Sequence, residues 1–392
     1  MVSVDLVIVG SGPAGLATAL HLVRLDPAWA DRMLILEKAS HLRHKPCAGG
    51  LTRFALLQLQ GLELTLDVPY VYVGEARLEY RGRRITVRGS PAIAVTQRSQ
   101  FDASLAVQVR RRGLRLHENE PVLQLEREGE AILVHTNRET YRAQVIVGAD
   151  GTSSIVRRWL AGPERPVRVA RAVEALMQAT GTEPEFREQA ALFDFAWARR
   201  GLKGYAWSFP SLASGEPRIH RGIYDSRICR QRPNAPLRPL LAELLEEARK
   251  NGGAKAIDGS PLHWFRPWSR ISGPRVLLVG DAAGSDVLFG EGIGIALGYG
   301  AIAAASLTKA FARGRFSFLD YRRRLLFSPL GGYLLRRGLL AQTCYVLSCS
   351  DPFMQALWMV AGWAVDLAGP MPPVPGVLPA KGQNGPPSQQ DR

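Results

Sequence analysis

The sequence predicts an α/β chain with an α+β insert: a parallel-sheet domain interrupted by antiparallel hairpins and closed by a helical C-terminus. Three observations carry this expectation. An apolar strand at residues 4–9 runs into a glycine triplet, a helix and a second apolar strand at 33–37. Residues 71–97 alternate apolar and polar side chains about a turn at Arg81-Gly82. A further apolar strand, Val276-Leu277-Leu278-Val279, leads to a second glycine-rich turn at residues 290–294 and a long helix.

In chain order, residues 13–25 carry Leu16, Ala17, Leu20 and Val23 at helical spacing between the first two strands, which makes an opening βαβ unit. Residues 99–112 read as helix, and 114–147 return to strands ending in the buried run Val145-Ile146-Val147. Residues 167–225 read as a second antiparallel sheet and 236–250 as a helix. From 290 to about 367 the pattern is helical, with breaks expected at Pro329-Leu330-Gly331-Gly332 and Asp351-Pro352. The expected domains are 1–70, 98–165 and 270–310 for the nucleotide-binding domain, and 71–97 and 166–269 for an interleaved antiparallel-sheet substrate domain. C-terminal helices follow at 311–368, and the tail 369–392, rich in Pro, Gly, Gln and Asn, reads as disordered.

At 392 residues and 46% apolar composition the chain can bury a sizeable core. Four cysteines, Cys47, Cys229, Cys344 and Cys349, lack metal-ligand spacing and have no histidine cluster beside them, so neither a metal site nor a disulfide framework is expected. That cysteine usage suits a reducing, cytoplasmic location. The first apolar strand starts almost at Met1, leaving no room for a secretory leader. The net charge of +15 suits an anionic partner, whether a membrane surface, an anionic substrate or nucleic acid, or equally a plain solvated surface on an arginine-rich chain. No basic helix interleaved with stacking aromatics is present, so no nucleic-acid partner is expected.

Gly10-Ser11-Gly12-Pro13-Ala14-Gly15 joins the first strand to the first helix. Gly10 suits the tight turn, Gly12 a close approach of backbone to a diphosphate, and Gly15 close packing of helix on strand. The helix N-terminus then meets the phosphates with free N–H groups and the positive end of its dipole. Glu37, 22 positions after Gly15 at the end of the second strand, is placed to accept hydrogen bonds from a ribose. The second glycine segment repeats this device, with Gly280-Asp281 at the C-terminal edge of a strand and Gly292-Ile293 opening a helix.

The run Gly280-Asp281-Ala282-Ala283-Gly284 … Gly290-Glu291-Gly292-Ile293 resembles the second FAD motif of the p-hydroxybenzoate-hydroxylase-like flavoproteins, and within them the geranylgeranyl reductases. Ile146-Val147-Gly148-Ala149-Asp150-Gly151 is similar to that superfamily's Asp-Gly motif, and Arg98 … Phe101-Asp102 to the segment whose arginine lies near the FAD phosphates and ribityl chain. Two stretches point to the subfamily. Lys45-Pro46-Cys47-Ala48-Gly49-Gly50-Leu51 resembles the reductases' cysteine-glycine loop over the isoalloxazine, and Tyr205-Ala206-Trp207-Ser208-Phe209-Pro210 their Tyr-x-Trp-x-Phe-Pro motif. The resemblance implies a Rossmann-like FAD-binding domain, with Lys38 and Val122 joining Glu37, Cys47, Ala48, Gly49, Arg98, Asp150 and Asp281 at the cofactor. Two positions depart from the pattern: Gly222 stands alone where the family has Gly-x-Gly, and Val287 replaces a proline.

The resemblance implies reduction of carbon–carbon double bonds in an apolar isoprenoid-type chain, with hydride from the flavin. Cys47 is the candidate proton donor, or else a small packing group beside the ring. Tyr205, Trp207 and Phe209 alternate and so share one face, either as an aromatic wall for that chain with Pro210 ending the strand, or as ordinary sheet core. An aromatic monooxygenase of the same fold and a non-catalytic flavin-binding redox sensor or membrane-associated protein are the rival expectations. There is no second nucleotide βαβ unit, which leaves NADPH and reduced ferredoxin open as electron donor. Residues 353–369 fall short of the ~20 uninterrupted apolar residues of a span. With Arg322–Arg324 and Arg336-Arg337 they suit either a peripheral anchor at the cytoplasmic membrane face or a packed bundle.

Overall fold

The computed structural model describes residues 1–162, 169–229, 233–248 and 257–375. The chain divides into two compact units, one of residues 1–44, 99–169 and 262–339, the other of 45–98, 170–261 and 340–392.

The first unit is built on an eight-stranded sheet. Strands β1 (Val2–Val9), β2 (Met33–Leu36), β6 (Arg115–His117) and β9 (Thr140–Gly148) pair in parallel in the order β9-β1-β2-β6, and β16 (Val276–Leu278) adds in parallel to β9. The short β15 (Ser272–Gly273) closes one edge, and the hairpin β7 (Val122–Glu128)–β8 (Ala131–Thr136) joins through β9. Parallel strands covered on both faces need continuous apolar runs, and Leu6, Val7 and Ile8 are fully buried accordingly. Helix α1 (Pro13–Leu25) and the 21-residue α8 (Ile293–Arg313) pack against each other so closely that a Cβ on Gly300 would lie 2.7 Å from Ala17. The unit also holds α2 (Trp29–Arg32), α5 (Ile155–Ala161), α9 (Tyr321–Leu326), most of α4 (Arg98–Arg111) and the first part of α10 (Pro329–Leu347).

The second unit holds another eight-stranded sheet, in the order β14-β10-β13-β12-β11-β4-β5-β3. Its strands are β3 (Gly50–Thr52), β4 (Tyr70–Tyr80), β5 (Arg83–Thr96), β10 (Val169–Gln178), β11 (Ala190–Asp194), β12 (Gly204–Ala213), β13 (Glu216–Asp225) and β14 (Asp258–His263). The hairpin at 71–97 and the strands after 167 therefore belong to one sheet, because β11 pairs with β4 in parallel. One face carries Val173, Ala175, Ala206 and Ile223, covered by Leu237, Leu240, Leu241 and Leu245 of α7 (Leu237–Ala248). The other face carries Trp207, Gly222 and Glu174, which lie directly opposite one another across three strands. Helix α3 (Arg53–Gly61), the short α6 (Pro184–Arg187) and α11 (Asp351–Ala368) complete the unit.

Several expectations are corrected. Residues 45–70 group with the second sheet, since β3 pairs with β5. The C-terminal helices are shared between the units. Pro329-Leu330-Gly331-Gly332 begins α10 and Asp351-Pro352 begins α11; proline fits a helix's first turn, so the real breaks fall just before these residues. The start of the tail is anchored, with the Met371 N–H donating to Arg88 O at 2.8 Å and Val374 buried. Two apolar residues supply the anchorage that the average composition hides, and residues 376–392 of that tail lie outside the described residues. Among the described residues one helix, α8, is long and apolar enough to cross a membrane, and 61% of that window is buried.

Candidate functional site

In the first unit the glycine triplet adopts the geometry its spacing implies. Gly10 has φ +102, its N–H donates to Leu36 O at 2.8 Å, and a Cβ there would lie 2.5 Å from Ala149 O. A Cβ on Gly15 would lie 2.1 Å from Gly10 O. Gly12 is the N-cap of α1 and no side chain caps it; a Cβ there would meet no protein atom within 4 Å. Pro13 occupies the first turn, where its missing N–H costs nothing. The backbone donors at this helix start thus lie behind a surface that only glycine leaves uncovered, which suits a diphosphate.

The second glycine segment reaches the same place. Gly280, at φ +58, lets the chain leave β16 so tightly that a Cβ would sit 2.7 Å from the Ala14 Cβ in the first turn of α1. Asp281 follows in a single 3-10 turn, Gly280–Ala282. Its carbonyl accepts a hydrogen bond from His263 Nδ1 at 3.0 Å. Burial first, and then the nearby Arg157, push the His263 pKa down to about 4, so the ring is neutral and its proton stays on Nδ1. Gly292 is the N-cap of α8 without a side-chain cap, 3.9 Å (as a built Cβ) from Asp281 Oδ1, and Ile293 is the buried first residue of the helix.

Glu37 is 4% exposed, and its Oε2 accepts from the Ser11 N–H at 2.9 Å and the Ser11 hydroxyl at 2.8 Å. Arg43 Nη2 lies 3.5 Å from the same oxygen, while its Nη1 donates to Asp102 at 3.0 Å. Burial alone would raise the Glu37 pKa, but Arg43 and the Ser11 and Ala39 donors hold it below its ordinary value. The carboxylate is therefore a fixed anion at the end of β2, with Oε1 engaged by the Ala39 N–H at the longer distance of 3.2 Å. Ser11 and Arg43, which hold Glu37 in place, were not singled out by the sequence pattern.

Lys38 is exposed beside Glu37, and Val122 is half-buried at the start of β7. Asp150 is turned into the protein: its carboxylate accepts from Ser154 Oγ at 2.5 Å and from the Ile155 N–H at 2.7 Å, capping α5. Burial raises its pKa against these bonds. Arg98 is buried at the first position of α4 and falls with the second unit.

In the second unit the Cys47-Ala48-Gly49-Gly50 loop has a defined shape. The Cys47 N–H donates to Glu174 Oε1 at 2.6 Å, and the Gly49 N–H donates to Cys47 Sγ at 3.4 Å. Gly49 lies at φ +72 with a built Cβ only 1.7 Å from Thr96 O, so no other residue fits. Glu174 is 7% exposed, and the sequence reading did not find it. Its register position, opposite Gly222 and so opposite Trp207, is a long-range property of three strands.

Tyr205, Trp207 and Phe209 are all buried on one face of β12, as their alternation predicts. Phe193 packs tilted against Tyr205 and edge-on against Phe209, at centroid distances of 5.3 and 5.0 Å. The loop shares this face, since a Cβ on Gly50 would lie 3.5 Å from the Phe209 ring. Gly222 has a steric reason: a Cβ there would lie 2.1 Å from the Trp207 ring. The Trp207 Nε1–H is buried with no acceptor among the described residues. Pro210 does not end the strand, which continues to Ala213 with Pro210 opposite Ile219. β11 pairs with β12 only over Ala206–Ser208, so at Pro210 one side of β12 is an edge, where a missing N–H breaks no ladder.

Comparisons with known proteins give the family. The family model "FAD binding domain" matches residues 3–286. A digeranylgeranylglycerophospholipid reductase of Methanocaldococcus jannaschii is 26% identical over 342 residues, covering 82% of this chain and 81% of its own. A menaquinone reductase of Mycolicibacterium smegmatis is 27% identical over 331 residues, covering 78% and 76%. In fold, the chain matches a geranylgeranyl bacteriochlorophyll reductase-like protein of Thermoplasma acidophilum with a TM-score of 0.75 over 96% of this chain and 95% of that one, at 20% identity. The glycine cradle at Gly10–Gly15, the uncapped helix starts at Gly12 and Gly292, and the anionic Glu37 fit one extended dinucleotide. The chain is a flavoprotein and belongs to the FAD-binding-domain family.

Proposed function

We propose that this FAD-dependent oxidoreductase reduces carbon–carbon double bonds of a polyprenyl chain on a lipid or pigment precursor. The observation that carries the reading is the shared face of the second sheet, where the Cys47–Gly50 loop packs on Phe209 beside Trp207 and Tyr205. Relatives named for digeranylgeranylglycerophospholipid and for menaquinone support it, because both are polyprenyl lipids.

Once reduced by an external electron donor of the nicotinamide or ferredoxin class, FAD held here would supply hydride to one carbon of the double bond. In the first unit, the N-terminus of α1 would hold the diphosphate and that of α8 the flavin end of the cofactor, and Glu37 and Asp281 would accept from sugar hydroxyls. In the second, Tyr205, Trp207 and Phe209 exclude water and orient the chain. The Cys47 thiol gives its proton to the second carbon, so that hydride and proton together add one hydrogen molecule across the bond, and solvent returns the proton to sulfur. Glu174 and Gly49 keep that thiol in place through its own backbone and its Sγ.

Helix α11 supports a surface role at the cytoplasmic membrane face. Met359, Val360, Trp363 and Leu367 form one outward apolar stripe, 60–74% exposed, on a chain of net charge +15. Flotation with anionic vesicles, lost in Trp363→Glu, checks this.

The decisive experiment reduces the protein with dithionite under anaerobic conditions and adds menaquinone or a geranylgeranyl lipid. Flavin reoxidation with two hydrogens added to the polyprenyl chain itself, located by fragmentation of the product and slowed at least tenfold in Cys47→Ala, is expected. Reoxidation only by oxygen with a phenolic substrate would establish a monooxygenase instead.

A further inference from the structure

The turn that carries the second FAD motif is tied to a helix that neither glycine segment contains. Asp286, whose side chain is fully buried, accepts from the Leu288 N–H at 2.8 Å and the Phe289 N–H at 2.9 Å, and so shapes the chain leading to Gly292. Arg337, on the first part of α10, donates through Nη1 to Asp286 Oδ2 and to Glu291 Oε2, both at 2.8 Å. The Tyr333 hydroxyl, one helical turn earlier, donates to the same Glu291 oxygen at 2.7 Å. The Arg337 guanidinium also lies 5.2 Å from the Phe289 ring centroid and 4.5 Å from that of Tyr333.

One arginine therefore neutralises and orients two largely buried carboxylates that bracket the glycine turn. A lone arginine contact to one surface carboxylate would be worth little, but a buried, branched one fixes geometry. The chain of contacts then runs inward. Glu291 adjoins Gly292, the N-cap of α8; a Cβ on Gly292 would sit 3.9 Å from Asp281 Oδ1, and Gly280 abuts Ala14 at the diphosphate cradle of α1.

We propose that Arg337 is a positioning residue of the flavin site, latching α10 onto the 286–292 turn and so holding the start of α8 against the cofactor. Without the latch the turn relaxes, the backbone donors at Gly292 and Ile293 shift, and the electrostatic environment of the isoalloxazine end changes with them. This inference rests on FAD binding alone and not on the choice of substrate.

The test compares Arg337→Met, Arg337→Lys and Tyr333→Phe with the parent protein as full chains, after removing and re-adding FAD. The readouts are the FAD dissociation constant from flavin fluorescence and the midpoint potential at saturating FAD. Arg337→Met is expected to weaken FAD binding at least thirtyfold and to move the potential. Tyr333→Phe should weaken it several-fold, and Arg337→Lys should recover most of the loss, since one ammonium can still bridge a carboxylate. If Arg337→Met does not fold, Arg337→Lys and Tyr333→Phe carry the test. Unchanged FAD affinity and unchanged potential in the variants that fold would overturn the proposal. So would equal losses of melting temperature in apo- and holoprotein at constant affinity, which would mark the latch as ordinary packing.

Discussion

Replacing Gly222 by alanine should disorder the aromatic row without touching the nucleotide cradle. The added Cβ would stand 2.1, 2.4 and 2.6 Å from Cζ2, Cη2 and Cε2 of Trp207. Carbon atoms rest at about 3.5–4.0 Å, so ring or strand must yield by about 1.5 Å. Trp207 is 6% exposed and stacked near Tyr205 at 6.2 Å, which leaves the indole little room to retreat. Overpacking of this kind costs about 1–3 kcal/mol. Urea denaturation should therefore show that loss for Gly222→Ala, with FAD affinity within twofold of the parent and kcat/KM for the polyprenyl substrate down tenfold or more. In the double variant Gly222→Ala/Trp207→Leu the clash is gone, and most of the stability penalty should vanish although activity does not return. If Gly222→Ala loses less than about 0.5 kcal/mol, or its penalty simply adds to that of Trp207→Leu, the assigned cross-strand contact is wrong.

Three further outcomes follow from the same geometry. Glu174→Ala leaves the Cys47 N–H without its acceptor and should lower kcat at least tenfold, with faster alkylation of Cys47 by iodoacetamide. Glu174→Gln, whose amide oxygen still accepts, should stay near parent in both; an equally inactive Gln variant would mean the carboxylate's charge or proton matters instead. Gly15→Ala would place a Cβ 2.1 Å from Gly10 O and should yield protein purified without flavin, whereas a yellow, FAD-saturated variant would refute the cradle. Acidification should destabilise the fold through His263, whose folded pKa of about 4 lies below its ordinary 6.5 because of burial and Arg157. The unfolded chain takes up that proton first, so the stability is complete above pH 6.5 and is lost as pH falls towards 4, on the order of 3 kcal/mol in all. His21, pushed to about 4 by burial and then Arg24, acts in the same window. His263→Asn should flatten the decline in melting temperature over that range, and an unchanged slope would exclude His263 as a cause.

The first unit was largely legible because its demands are local. A turn needing φ +102 at Gly10 and a helix start that no side chain caps leave their mark within six residues, and Glu37 follows at a spacing set by one helix and one strand. The alternation of Tyr205, Trp207 and Phe209 correctly gave their common face. What it could not give was register. Glu174, Gly222 and Trp207 meet only because three strands align, and nothing within any one segment records that alignment. The same holds for Arg337, which reads as one more basic residue on an apolar helix until α10 is laid on the turn 46 positions earlier. Pro329 and Pro352 were misjudged for a different reason: proline breaks a helix interior but begins a helix well, and the sequence alone does not say which position it holds.

The parallel pairing of β11 with β4 also sets an order of events during synthesis. The β4–β5 hairpin emerges early, yet the strand that covers its outer edge, Ala190–Asp194, comes more than a hundred residues later. Trp358, which packs on Tyr80 and Phe195 at 5.4 and 5.1 Å, arrives only with the last helix. Until β11 emerges the growing chain carries an open strand edge, and until α11 emerges Tyr80 and Phe195 lack their covering ring; both conditions favour association with a neighbouring chain. Truncation before residue 351, which removes Trp358, should therefore yield aggregate rather than a shorter folded chain.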